Sequence, residues 1–166
     1  MTERAVDGAG LRTVMARFPT GVMVMTTTVG GVPHGMTANA VTSVSLDPLL
    51  VLVCVSREAV MAALVERTRV FALSLLSRDQ QHLSEHFADP ERSVGIPGFA
   101  DVPTSTAVTG APLLAGAIAH IDCEVEALHP GGDHVIVVGR VVHLGLERDG
   151  APLVYHLSRY TTVEGS

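Results

Sequence analysis

The sequence predicts a mostly β protein: an antiparallel barrel decorated by three short helices. Two observations carry that expectation. Six or seven apolar or alternating runs are separated by turn signals, the pattern of an all-β barrel. Two runs, 49–55 and 135–142, are apolar on both faces. One face of such a strand can line a barrel, and the other needs a helix or a second subunit over it. Composition agrees. A 166-residue chain that is 47% hydrophobic and 17% charged is the size of one domain, 1–166, with a substantial core and no disordered character.

Residues 1–8 read as a loose tail. Leu11, Val14, Met15 and Phe18 then follow i, i+3, i+4, i+7 spacing, which predicts a short amphipathic helix packed on the core and ended by Pro19. Gly21–Val29 is a strand, Gly30-Gly31 a hairpin turn, and Val32 to about Thr37 the return strand, with Pro33 marking an edge or bulge. Asp47-Pro48 precedes the Leu49–Val55 strand. Val60, Met61, Leu64 and Val65 place a helix within 58–67, and Val70–Leu76 is again a strand. Ser77 is a cap for a helix over RDQQHLSEHFA, with Asp79 in its first turn and Phe87 a core aromatic near its end.

Residues 89–112 carry four prolines and several glycines. They form either a lid or an ordered surface loop. From 118 to 128, Ala119, Ile121, Cys123 and Val125 alternate with His120, Asp122, Glu124 and Glu126, which predicts a strand with one wet face. Pro130-Gly131-Gly132 turns the chain into Val135–Leu146. Asp149-Gly150 makes a last turn before the strand 152–157.

Several function classes are excluded. A net charge of −6 argues against nucleic acid or an anionic membrane as partner. Cys54 and Cys123, both inside strands and without C-x-x-C spacing, are buried thiols of a reducing compartment. With no signal core and no stretch of membrane-spanning length, the expected location is cytoplasmic. No G-x-G-x-x-G follows a strand and no nucleophile elbow occurs. His82 and His86 stand at i, i+4 with Glu85 between them, but this is not H-E-x-x-H, so a solvated helix face is expected and no metal.

The stretch 34–56 is the one that suggests chemistry. Gly35, Thr37, Ala38, Asn39, Ala40, Thr42, Ser43 and Ser45 form a run of small and hydroxyl residues that leads into the apolar strand. Small side chains let a ligand approach the backbone, and hydroxyls add donors and acceptors, which makes a polar cradle for a flat ligand. A Thr-rich strand pair accounts for the same residues.

In order along the chain, PTGVMVMTTT, HGMTANAVTSVSLDP, LVLVCVSR, GDHVIVVGRV and PLVYHLSRY resemble the flavin reductase-like family of FMN-binding split barrels, from about Leu11 to about Tyr160. The resemblance implies an antiparallel split β-barrel, commonly a homodimer. It also implies hydride transfer from NADH (NADPH being disfavoured by the scarcity of basic residues) to FAD, or alternatively FMN. Reduced flavin would then pass to a partner monooxygenase. By the same resemblance Thr37, Ala38, Asn39, Ala40, Ser43, Ser45, Cys54, Val55, Ser56 and Arg57 bind flavin, with Arg57 on its phosphate. His134 sits beside the nicotinamide as the catalytic candidate, Asp133 fixes the turn, and Tyr160 closes the pocket. Glu58, Ala59 and Val60 stand where the family often has Ser or Thr, and this leaves open how the phosphate is held. The alternative is a flavin-binding protein on the same barrel without reductase activity. An oxidase of phosphorylated pyridoxamine is disfavoured because the chain has no Lys.

Overall fold

The computed structural model describes residues 3–92 and 95–163. Residues 1–2 of the expected tail and 93–94 of the Pro/Gly-rich stretch lie outside the described residues. Twelve strands and three α-helices occur among those described: α1 (Gly8–Met15), β1 (Thr20–Gly21), β2 (Met23–Val29), β3 (Val32–Ala38), β4 (Val41–Leu46), β5 (Leu49–Ser56), α2 (Val60–Thr68), β6 (Val70–Leu75), α3 (Gln81–Ala88), β7 (Thr104–Thr106), β8 (Pro112–Leu114), β9 (Ala119–Gly131), β10 (His134–Leu146), β11 (Leu153–His156) and β12 (Arg159–Thr162).

Seven strands form one antiparallel sheet in the order β3-β2-β6-β9-β10-β5-β4. Its two edge strands, β3 and β4, follow one another in the chain and are separated only by Asn39 and Ala40. A sheet whose opposite edges meet within two residues must curl on itself, and with no β3–β4 ladder among the described residues the barrel is split at that corner. Smaller sheets, β1-β11-β12 and β7-β8, flank it.

The barrel interior holds Met25, Val51, Val53, Val55, Phe71, Leu73, Cys123 and Val137, and α2 closes it with Met61 and Val65. The period-2 burial of Val51, Val53 and Val55 is the inward face of β5, while Leu50, Leu52 and Cys54 on its outer face are only half covered. Phe71 also explains Gly139: a Cβ there would collide with the Phe71 ring, and the β9–β10 ladder carries a bulge at that point. A second cluster, Val22, Val24, Leu76, Leu83, Phe87 and Leu114, packs α3 and the β11–β12 hairpin outside the barrel.

Two expectations need correction. Helix α1 forms and is capped by Asp7, whose carboxylate accepts from Gly10 N–H at 2.7 Å, but its apolar stripe does not reach the core. Leu11, Val14, Met15 and Phe18 are each more than half exposed. The alternation in β9 is misleading as well. His120 and Asp122 are buried, because the segment before β9 folds back over that face. Asp122 accepts from the N–H groups of Val108 and Thr109, both at 2.9 Å, and anchors that segment. The described residues of the stretch 89–112 are an ordered strap, with a 3-10 turn at Ile96–Phe99, β7 and the start of β8, in line with the surface-loop alternative.

Candidate functional site

The corner between β3 and β4 sits where the split barrel exposes backbone. As edge strands, β3 and β4 each present alternate N–H and C=O groups that have no partner within the sheet. Ala38 is buried at the end of β3, and Asn39 and Ala40 turn the corner in the open. Asn39 Nδ2 donates to Thr20 Oγ1 at 3.2 Å, tying the corner to β1. Ala40 O accepts from Cys54 N–H at 3.0 Å, so the corner lies against the end of β5.

Continuing along β5, Ser56 pairs with His134 and Val55 with Val135, so the chain end Cys54–Arg57 and the β9–β10 turn form one surface. Gly131 pairs with His134, making Gly132-Asp133 the two-residue turn, with Gly132 at φ +71°. The turn thus falls slightly later than Pro130-Gly131-Gly132. Arg57 braces it twice: its N–H donates to Asp133 O at 3.0 Å and its Nε to Gly132 O at 2.9 Å. Asp133 Oδ1 lies 2.7 Å from His134 Nδ1. That hydrogen bond, and then the charge of the imidazole, hold the Asp133 carboxyl below its usual range. Asp133 therefore does more than shape the turn, since it also orients His134.

A cavity of about 440 Å³ opens beside the corner, lined by Arg12, Met15, Phe18, Thr20, Asn39, Ala40 and Tyr155 among others. The size and the mix of apolar wall and few polar groups are those of a small-ligand site. Of the residues expected on the flavin only Asn39 and Ala40 line it; Arg57 lines a separate cavity with Leu128, Pro130 and Val135, and Ser43 and Ser45 line neither. They lie further along β4, opposite Val51 and Leu50 across a bulge, and Ser45 Oγ accepts from Asp47 N–H at 3.2 Å in the hairpin turn. Thr37 Oγ1 is committed to Ser84 O at 2.6 Å, which leaves its backbone and not its hydroxyl for a ligand. Tyr160 stands one layer back, its Oη 2.9 Å from Ser84 Oγ and its ring 5.4 Å from that of Tyr155. Thr20, Tyr155 and Ser84 are the site residues that sequence reasoning missed. Phe87 is a core residue, as expected. His86 Nε2 lies 2.7 Å from Gly98 O, and no metal-binding cluster occurs among the described residues.

Fold and site together define a split-barrel protein with a cavity beside the split. The sequence profile of the flavin reductase like domain matches residues 15–164, and the chain belongs to that family. The NADH-dependent FAD reductase of Streptomyces globisporus is 47% identical over 138 residues, covering 82% of this chain and 75% of the relative. The reductase subunit HsaB of a flavin-dependent monooxygenase from Rhodococcus jostii is 36% identical over 162 residues, covering 96% and 80%. Among solved structures, the Streptomyces globisporus C-1027 NADH:FAD oxidoreductase SgcE6, in complex with NAD and FAD fragments, superposes with a TM-score of 0.87 at 38% identity. That match covers 96% of each chain.

Proposed function

We propose that this chain is an NADH-dependent flavin reductase that reduces FAD, with FMN as the alternative, and passes reduced flavin to a flavin-dependent monooxygenase. One observation carries the reading: the β3–β4 corner and the Asp133-His134 turn are drawn to opposite ends of the same short stretch of β5. The donor set suits a flavin. Edge-strand N–H groups, the Asn39 amide and the Thr20 hydroxyl surround a cavity with an apolar wall. When bound, flavin accepts the hydride that NADH donates.

The remaining work belongs to the protein. Backbone N–H groups of the Thr37–Ala40 run that β2 leaves free would donate to the polar edge of the ring and stabilise negative charge there. Cys54, Val55 and Ser56 form the floor between the corner and the turn. The Arg57 guanidinium, besides bracing the turn, would donate to the flavin phosphate, whereas Ser43 and Ser45, opposite Val51 and Leu50, lie towards the other end of β5 and could meet only a different part of the cofactor. The Asp133 carboxylate has only acceptor atoms, so the His134 proton resides on Nδ1. Nε2 is then an acceptor for the amide N–H of a nicotinamide carboxamide. Such a grip would help hold the nicotinamide C4 and the flavin N5 within the roughly 3–3.5 Å that hydride transfer needs.

This reading includes a homodimer. The exposed stripe of α1 and the half-covered outer face of β5 are the surfaces a second copy would bury. No described helix is long and apolar enough to cross a membrane, and a cytoplasmic location is part of the proposal. The test is anaerobic stopped-flow mixing of NADH with the protein and FAD, then FMN, following the visible absorbance of oxidised flavin. Bleaching far above the protein-free rate is expected. Flavin binding without bleaching would leave a flavin carrier and remove the reductase.

A further inference from the structure

Around the cavity, six side chains or backbone groups close a ring. Thr37 Oγ1 donates to Ser84 O at 2.6 Å. Ser84 Oγ lies 2.9 Å from Tyr160 Oη, and the Tyr160 ring sits edge-on to Tyr155 at 5.4 Å. Tyr155 pairs with Thr20 across β1 and β11, and Thr20 Oγ1 accepts from Asn39, two residues from Thr37. Of these, Thr20, Asn39 and Tyr155 line the cavity. Ser84 does not. It is fully buried in α3, away from the cavity surface.

We propose that Ser84 is a positioning residue for the flavin pocket: it holds the Thr37–Ala40 corner and the Tyr155 wall at a fixed separation. The proposal rests on the flavin reductase reading. Its physical basis is that Ser84 makes both of its bonds to elements that carry opposite walls. Its carbonyl takes β3 and its hydroxyl takes β12, and β12 in turn backs Tyr155 on β11. An α-helix is stiff over one residue, so the two walls are coupled through a single rigid point. The other bridge between those walls is the Asn39–Thr20 bond, which is longer, at 3.2 Å, and exposed. Exposed bonds of that kind exchange with water and constrain little. A pocket for a planar ring loses affinity when its walls drift, because ordering them then falls on the binding step.

The test uses the full chain with Ser84→Ala, Tyr160→Phe and the double variant. Tyr160→Phe deletes the same hydroxyl contact from the other side with no change of shape, so it protects the test if Ser84→Ala folds poorly. Flavin affinity is read from fluorescence titration, and KM for FAD and NADH from steady-state kinetics. Each single variant is expected to weaken FAD binding about three- to tenfold, the range for one hydrogen bond, and to raise the FAD KM by more than kcat falls. The NADH KM should hold. The double variant should be no worse than either single one, since both remove one shared bond.

Unchanged FAD affinity in Tyr160→Phe, fully additive losses in the double variant, or equal rises in both KM values would each overturn the proposal. If the unaltered chain bound no flavin, the reductase reading itself would fail, which the same titration shows separately.

Discussion

At the scale of single residues, the Asp133–His134 pair makes the sharpest demand. His134→Ala should raise the NADH KM roughly tenfold, the worth of one well-placed hydrogen bond, while FAD affinity in titration is preserved. Asp133→Asn keeps the ring but no longer dictates which nitrogen holds the proton, so a smaller rise in the same constant is expected. An equal loss of FAD affinity in either variant would place the pair on the flavin instead. The two thiols offer a second check. Burial, and secondarily the charge of Asp122, push the Cys123 thiol up to about 12, so it stays protonated and inert at neutral pH. Cys54 is half-buried on the outer face of β5, beside Ala40. Native protein should therefore label at one thiol with a cysteine reagent, and FAD should slow that labelling. Both thiols should react in denaturant. Labelling of Cys54 at the same rate with and without FAD would remove β5 from the flavin floor.

At the scale of elements, α1 is the informative case. Its spacing is that of a packed helix, yet Leu11 and Phe18 are 63% and 65% exposed. A stripe of this kind is a surface that the proposed second copy would cover. Leu11→Glu combined with Phe18→Glu should halve the mass seen by light scattering, with the circular dichroism of the barrel retained. A variant that kept a dimer mass would take α1 out of the proposed contact, and a monomer mass for the unaltered protein would remove the dimer itself. The same helix shows how sequence legibility depends on range. Periodicity reveals that a face is apolar, not what meets it. The strands β5 and β10 were legible because both of their faces carry apolar residues in a continuous run, although the outer face of β5 is only half covered. β1, β7, β8 and β12, at two to four residues, are too short to display a period. His120 and Asp122 read as wet because their cover arrives from the strap before β9. In the proposed site, Thr37–Ala40, Cys54–Arg57 and His134 stand out in the sequence as local motifs. Ser84 was not, since its partners lie 47 and 76 residues away and a lone helical serine carries no signal.

For the molecule as a whole, the relation between pH and stability turns on a group outside the proposed chemistry. His34 in β3 is buried, and Arg92 lies close by, its guanidinium donating to Gly35 O. Burial first, and then the Arg92 charge, hold the His34 pKa below its ordinary 6.5. The unfolded chain then binds a proton that the folded chain refuses. Stability must therefore rise with pH across the interval between the folded and unfolded values, and fall as pH drops below about 6.5. The depressed carboxyls of Asp133 and Glu147 act in a lower window: their contribution is present above the ordinary carboxylate range and is lost only as pH falls beneath it. The two effects are thus separable by pH. Urea midpoints measured from pH 7.5 to 5.5 should decline in the unaltered protein and decline less in His34→Gln, which cannot titrate there. Parallel slopes in the two proteins would show that His34 is not the group responsible. The expected flattening would locate the acid sensitivity of the fold in the β3–Arg92 contact, at the far end of the strand that carries Thr37 and Ala38.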